Sequence, residues 1–329
     1  MRAFVTGGTG FLGRRVVERL LALGWQVRVL ARTPEKGVAV AALGADVIQG
    51  DLGDIDAFKH ALRGCDVSVL VGARAVSHGT WDEFVRENVL ATERLIDESI
   101  AAGVRRIVYV SSLGIFEIPQ DGVTITEDTE YDREPMLRGN YTRSKIDADR
   151  IASAAARAGK PVVIVRPGRI YGHDHPLGQP LYLGRVKKRF GANFCLVVGK
   201  ASYLTPISYV ENAADAVVAA ATTAGVDGRA FNVVDDPDLT HRHYFRAVSR
   251  LPGFPRRYAF IPVGLLVPAL VVVSFAFRTL KRRPWSVSYQ LRRSGRSARY
   301  TTDAAHAALG WHPKVGLDEA LQATAVPNM

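Results

Sequence analysis

Tyr141 and Lys145 stand four residues apart in N-Y-T-R-S-K (Asn140–Lys145). On a helix, positions i and i+4 share a face, so the phenol and the ammonium point the same way. A nearby ammonium favours phenolate and lowers a phenol pKa that is normally about 10. A tyrosine tuned this way can donate or accept a proton near neutral pH. Upstream, Val110-Ser111-Ser112 closes a β-rich run and offers hydroxyls to the same chemistry. Tyr-x-x-x-Lys is common by chance, and alone it reads more readily as a surface pair. The start of the chain decides between the two.

That start is Val5–Gly13, V-T-G-G-T-G-F-L-G. It follows a short apolar strand and runs into Val16, Val17, Leu20 and Leu21, whose spacing gives a helix an apolar face. Gly7, Gly10 and Gly13 therefore sit at a strand-to-helix turn, with Phe11 and Leu12 opening the helix. Missing side chains there let the backbone approach a pyrophosphate, and the helix N-terminus offers unpaired N–H groups. A dinucleotide is the expected ligand. The second strand ends on Ala31 and Arg32, with no acid for a ribose 2′-hydroxyl; a guanidinium suits a 2′-phosphate, so NADP is expected over NAD. The alternative is that Arg32 stacks on adenine or faces water. Gly50-Asp51-Leu52 ends the third strand and offers a carboxylate near the adenine, although Asp51 also reads as a helix N-cap.

Elements that position these groups alternate through the first half. Strands are expected at Ala3–Val5, Gln26–Leu30, Val47–Ile48, Val67–Val71, Arg106–Val110 and Pro161–Val165. Helices are expected at Ala57–Leu62, Trp81–Ala102 and Tyr141–Ala158. This alternation implies an α/β fold, a doubly wound parallel Rossmann sheet covered on both faces, with the ligand at the carboxyl ends of the strands. Phe194–Val198 and Phe231–Val234 read as further strands and Tyr209–Ala221 as a helix. The expected division is a dinucleotide domain of residues 1–172 and 207–234, and a smaller, mostly C-terminal α/β substrate-binding domain of 173–206 and 235–329.

The chain resembles the extended short-chain dehydrogenase/reductases over nearly its full length. T-G-G-T-G-F-L-G, G-D-L at Gly50–Leu52, E-N-V-L-A-T at Glu87–Thr92, Y-V-S-S at Tyr109–Ser112 and Y-T-R-S-K at Tyr141–Lys145 carry the likeness. So do V-R-P-G-R-I-Y-G at Val165–Gly172, P-I-S-Y-V-E-N-A-A at Pro206–Ala214 and L-G-W-H-P at Leu309–Pro313. The resemblance implies that Tyr141 is the general acid/base and that Ser112, with Ser111 the alternative, orients the substrate oxygen. It implies that Lys145 also holds the nicotinamide ribose, that Ala73 lines the cofactor cleft, and that Asn88 and Pro167 sit near the nicotinamide. Leu113-Gly114 after the serine departs from the dehydratases, and Arg166-Pro167-Gly168-Arg169 from the Arg-x-x-Asn run of sugar-nucleotide epimerases. The form is more similar to the branch containing 3β-hydroxysteroid dehydrogenases and dihydroflavonol reductases, which act on alcohols and ketones of hydrophobic substrates. An epimerase with retained NAD, and a non-catalytic cofactor-binding subunit, are the alternatives. A homodimer through the helices after the fourth and fifth strands is a further implication.

Charge and hydropathy concern the far end. Of the net charge of +11, all is accounted for between Arg250 and Thr302, where eleven basic residues meet no acidic one. No nucleic-acid motif accompanies them, so no nucleic-acid partner is expected. Tyr258–Phe277 carries no charge and could span a bilayer by length, but Pro262, Gly264 and Pro268 interrupt it. It reads either as a buried or partner-facing helix or as an apolar hairpin that, with the basic flanks across 258–299, makes peripheral contact with a membrane. Two cysteines, Cys65 and Cys195, form no metal or disulfide pattern, and the first residues read as a strand rather than a signal peptide. The expected location is cytoplasmic, or the inner face of a membrane. His173, His175, His241 and His243 lie in loop and helix-start contexts, and no metal is expected.

Overall fold

The computed structural model describes residues 1–76, 78–173, 194–252, 254–264 and 295–325. The elements in chain order are β1 (Arg2–Thr6), α1 (Phe11–Ala22), β2 (Gln26–Ala31), α2 (Pro34–Ala41), β3 (Asp46–Gln49), β4 (Val67–Leu70), α3 (Trp81–Phe84), α4 (Ala91–Ala101), β5 (Arg106–Val110) and β6 (Val123–Ile125). Then follow α5 (Asn140–Arg157), β7 (Val162–Pro167), β8 (Arg169–Tyr171), β9 (Phe194–Val198), β10 (Ile207–Tyr209), α6 (Val210–Thr222), β11 (Ala230–Val233), α7 (His241–Val248), β12 (Arg257–Ile261), β13 (Ala298–Tyr300), α8 (Asp303–Leu309) and α9 (Leu317–Ala325). Seven strands form one parallel sheet in the order β11-β7-β5-β4-β1-β2-β3. The chain starts in the middle and winds outward in both directions, which places the carboxyl ends of β1, β4 and β5 side by side.

Both faces of the sheet are buried, and successive strand residues supply opposite faces. Ala3, Val5, Val163 and Val165 pack with Val16, Val17 and Leu20 of α1 and Val217 of α6. Phe4, Tyr109, Val162 and Ile164 pack on the other side with Ile96 of α4 and Ala148 and Ala152 of α5. The small residues of α5 let that helix lie close to the sheet.

Two expected helices take different forms. Ala57–Leu62 is replaced by two short 3-10 turns, Ile55–Ala57 and Lys59–Leu62, separated by Phe58, whose non-helical backbone (φ −130°, ψ −2°) breaks the helix. The break lets the Phe58 ring stack on Phe4, 5.9 Å between centroids. The long helix from Trp81 is α3 and α4 joined by a π-helical turn, Val85–Leu90, which buries both Glu87 and Asn88. Single π turns inside α-helices often mark functional sites.

Beyond the main sheet, short parallel pairs join distant parts of the chain: β8 with β10, β9 with β12, and β6 with β13. Tyr258–Ile261, read from sequence as the start of an apolar helix or hairpin, is the β12 strand; its backbone is taken up by the Phe194–Val198 ladder. Residues 265–277 of that stretch, and His175, lie outside the described residues. No helix among the described residues is long and apolar enough to cross a membrane. His241 lies in an aromatic cluster, 5.9 Å from Phe245 and stacked 6.4 Å from Phe260.

The C-terminal segment is anchored by one asparagine. Buried Asn212 at the start of α6 donates to Val315 O (2.9 Å) and accepts from the N–H groups of Lys314 and Val315 (both 3.1 Å). The Trp311 indole N–H returns a bond to Asn212 O at 2.9 Å. The E-N-A and L-G-W-H-P motifs are thus two halves of one joint.

Candidate active site

At the carboxyl end of β1 the glycines form a cradle that side chains would fill. Gly7 has φ +69°, and a Cβ on it would lie 2.6 Å from Gly72 Cα after β4. A Cβ on Gly13 would overlap the Gly7 carbonyl. Gly10 N donates to Gly7 O at 2.9 Å and closes the turn. Gly10 is also the extended N-cap residue of α1 and brings no capping side chain, so the first N–H groups of the helix face the cradle. Leu12 is buried beneath the loop, and Phe11 reaches the opposite lip, 3.2 Å from where a Gly172 Cβ would be. Leu52 closes on Gly72, with Cδ1 3.0 Å from its Cβ position, and Ala73 is next in that turn. A close-approach loop, open helix N–H groups and apolar flanks fit the pyrophosphate of a dinucleotide.

Just beyond β2, Arg32 is held by two carboxylates while half-exposed. Its Nε lies 2.8 Å from Asp51 Oδ2, and an Nη lies 3.3 Å from Glu87 Oε2. Asp51 is not the N-cap of a long helix; its other oxygen accepts from Gly53 N at 2.7 Å in a tight turn. The two expected residues are therefore brought together, with Glu87 as a third member that sequence reasoning left among the family motifs.

At the catalytic end, α5 crosses the carboxyl end of β5. Lys145, buried, donates from Nζ to Val110 O at 2.7 Å and lies 4.6 Å from the centre of the Tyr109 ring. Burial lowers its pKa to about 8, with Asp149 acting in the opposite sense. The expected lowering of the Tyr141 phenol is not found: burial raises it above the ordinary value, and Lys145 is not among the causes. The reason is geometric, since the ammonium is directed to the β5 carbonyl. Ser112 follows that strand and accepts from Gly114 N at 3.1 Å, capping the turn Leu113–Ile115. This engages the oxygen as an acceptor and leaves its O–H to donate. Ser111 is buried one residue earlier, and Pro167 is buried at the end of the neighbouring β7.

Asn88 is engaged on both sides of its amide by protein groups. Its Oδ1 accepts from Arg74 N (2.6 Å), and its Nδ2 donates to Arg74 O (3.2 Å) and to Ser144 Oγ (2.8 Å). It fastens the turn after β4 to α5 beside Tyr141. A second buried group lies one helical turn beyond Lys145. Asp149 receives Arg166 through two bonds (3.0 and 2.7 Å), together with the hydroxyls of Tyr131 (2.8 Å) and Ser153 (3.1 Å). Burial alone would raise its pKa, but Arg166 and these donors outweigh burial and hold it below the usual carboxylate range. The signal for Asp149 was present in the sequence: it continues the i+4 spacing from Tyr141 through Lys145.

The profile of the NAD dependent epimerase/dehydratase family matches residues 3–233. The chain belongs to this family. Within it, it is an NAD-dependent oxidoreductase of the extended short-chain dehydrogenase/reductase type. It is 29% identical over 330 residues to the 4-hydroxy-2-methyl-3-oxo-4-farnesyl-3,4-dihydroquinoline-1-oxide ketoreductase of Stigmatella aurantiaca, covering 98% of this chain and 96% of that one. It is 28% identical over 334 residues to the 2-alkyl-3-oxoalkanoate reductase of Shewanella oneidensis, covering 97% and 84%. Among solved structures it is similar to gox2253, with a TM-score of 0.82 and 25% identity, over 98% of this chain and 96% of that one.

Proposed function

We propose that the protein is an NADP-preferring oxidoreductase that interconverts a ketone and a secondary alcohol on an apolar small molecule. The observation that carries this reading is the seating of Tyr141 and Lys145 on one helix against the end of β5, with Lys145 Nζ 2.7 Å from Val110 O and Ser112 two residues further on. Two relatives named for reduction of apolar oxo compounds support the substrate class. When bound, the nicotinamide dinucleotide supplies or accepts the hydride.

The chain's own residues do the rest. Gly7, Gly10, Gly13 and the N–H groups of α1 hold the pyrophosphate, and Arg32 with Asp51 holds the adenosine end. Lys145 positions the nicotinamide ribose. Ser112 donates its O–H to the substrate oxygen, and Tyr141 protonates that oxygen during reduction. A phenol with a raised pKa is protonated at neutral pH, the state that a proton donor requires.

The test is cofactor consumption with NADPH and NADH against β-keto acids, steroid and flavonoid-like ketones and sugar nucleotides. Expected are NADPH oxidation in step with loss of an apolar ketone and a fall of about 100-fold or more in kcat for Tyr141→Phe. Full turnover by Tyr141→Phe would sink the mechanism. Conversion of sugar nucleotides alone, with no net cofactor change, would replace it with an epimerase.

A further inference from the structure

The cluster around Glu87 has more cation than the Arg32–Asp51 pair requires. Glu87 sits in the π turn with a side chain 5% exposed, and three guanidinium groups converge on it. Arg32 is 3.3 Å from Oε2; Arg74 is 3.2 Å and Arg86 3.3 Å from Oε1. These distances exceed the roughly 2.7–2.9 Å of a tight charged hydrogen bond, so the carboxylate gathers the three groups without saturating any of them. Arg74 is mostly buried, shares Glu83 at 3.4 Å and lies over the Phe84 ring. Its role is internal. Arg86 is different: it is 58% exposed, and Glu87 is its one hydrogen-bonded partner among the described residues.

Arg86 also reaches the turn that follows Asp51. A Cβ on Gly53 would be 2.7 Å from Arg86 Nε and 3.2 Å from Asp51 Oδ1. Arg86 therefore borders the same turn whose Asp51 engages Arg32, and Arg32 is itself 52% exposed. Two half-exposed guanidinium groups are thus paired to one buried carboxylate beside the Asp51–Gly53 turn. Each keeps N–H groups that no hydrogen bond among the described residues takes up. A dianionic phosphate can take donors from both, and a ribose hydroxyl needs neither charge.

We propose that Arg86 is a second reader of the 2′-phosphate and closes on it from the side opposite Arg32, with Glu87 keeping both guanidinium groups at the ribose. The proposal rests on the NADP preference put forward above and adds a residue to it. It explains why an acid, Glu87, is buried in a π turn next to the cofactor cleft: the carboxylate stabilises three neighbouring cations whose mutual repulsion would otherwise scatter them. It also accounts for the glycine at position 53, since a side chain there would displace Arg86.

The test uses dissociation constants for NADPH, NADH and adenosine 2′,5′-bisphosphate, measured by calorimetry on wild type, Arg86→Ala, Arg86→Lys and Arg32→Ala, with thermal melting as the control for folding. Arg86→Ala is expected to weaken NADPH and the bisphosphate about tenfold or more, as loss of a charged hydrogen bond would, and to change NADH less than about twofold. Arg86→Lys should recover part of the loss, as a point charge without the fork. Equal effects of Arg86→Ala on NADPH and NADH, or none on either, would overturn the proposal. If Arg32→Ala still lowered the NADPH-to-NADH ratio in that case, the NADP reading would stand without Arg86. Tighter wild-type binding of NADH than of NADPH would remove both.

Discussion

Asn88 Nδ2 donates to Ser144 Oγ across 2.8 Å, and that hydroxyl donates to Tyr141 O at the same distance. Asn88 also binds both backbone polar groups of Arg74. A continuous path of bonds thus runs from the turn after β4 to the first turn of α5. Replacing Asn88 with Ala strands Arg74 N and loosens this path. Expected is a loss of about 1–3 kcal/mol of stability together with a lower kcat. Urea midpoints and steady-state turnover on the same preparations check it. An unchanged kcat would mean that the clamp does not position Tyr141.

Lys145 is costly to fold around. Its pKa falls from 10.5 to about 8 because burial outweighs its partners. Below pH 8 both the folded and the unfolded chain hold the proton, and the burial penalty is present in full. As pH rises from about 8 to 10.5 the folded chain releases the proton first, so stability rises through that window. Lys145→Met is therefore expected to be more stable than wild type at pH 7. The shift corresponds to on the order of 3 kcal/mol at about 1.4 kcal/mol per unit, reduced by on the order of 1 kcal/mol for the lost bond to Val110 O. The advantage should shrink towards pH 10. A variant less stable than wild type at both pH values would contradict this account.

Much of this site is legible in the chain because its signals are local. Arg106–Val110 and Val67–Leu70 are apolar runs, as strands buried on both faces must be. Tyr141 and Lys145 are marked by their spacing once Ser112 and the glycine loop stand with them, and the glycines by their place between a strand and a helix. What was not legible depends on three-dimensional surroundings. The π turn shifts the helical register at Val85–Leu90, so periodicity could not show that Glu87 and Asn88 are both buried. The raised Tyr141 pKa reflects desolvation, which a sequence spacing does not encode. The pairing of Val123 with Ala298 joins residues whose sequence neighbourhoods share no pattern.

The cradle makes a sharper claim than the motif. A methyl group on Gly13 would meet the Gly7 carbonyl and the Gly8 Cα, both of them backbone and unable to swing aside. Gly13→Ala should therefore deform the loop, with a cost of about 1–3 kcal/mol from overpacking and loss of dinucleotide binding. Gly24→Ala serves as the comparison. Its φ of +76° strains the backbone, yet nothing lies within 4 Å of its Cβ position, so it should lose stability while keeping cofactor affinity. Fluorescence titration with NADPH, alongside thermal melting, separates the two. Wild-type affinity in Gly13→Ala would show that the loop can open without harm.

Asp235 carries a pH dependence of the opposite kind. It follows β11 and accepts from Tyr209 N at 2.6 Å, and burial raises its pKa from 3.8 to about 7 despite that bond. Below pH 3.8 the carboxyl is protonated in both states and costs nothing. Between about 4 and 7 the unfolded chain ionises while the folded chain keeps its proton, so stability falls as pH rises, and above 7 the penalty is complete. Asp235→Asn keeps an oxygen for Tyr209 N and removes the charge. Expected is a gain on the order of 2 kcal/mol or more at pH 8, narrowing to near zero at pH 4, read from urea midpoints at three pH values between. A constant difference across that range would show that Asp235 does not titrate with folding.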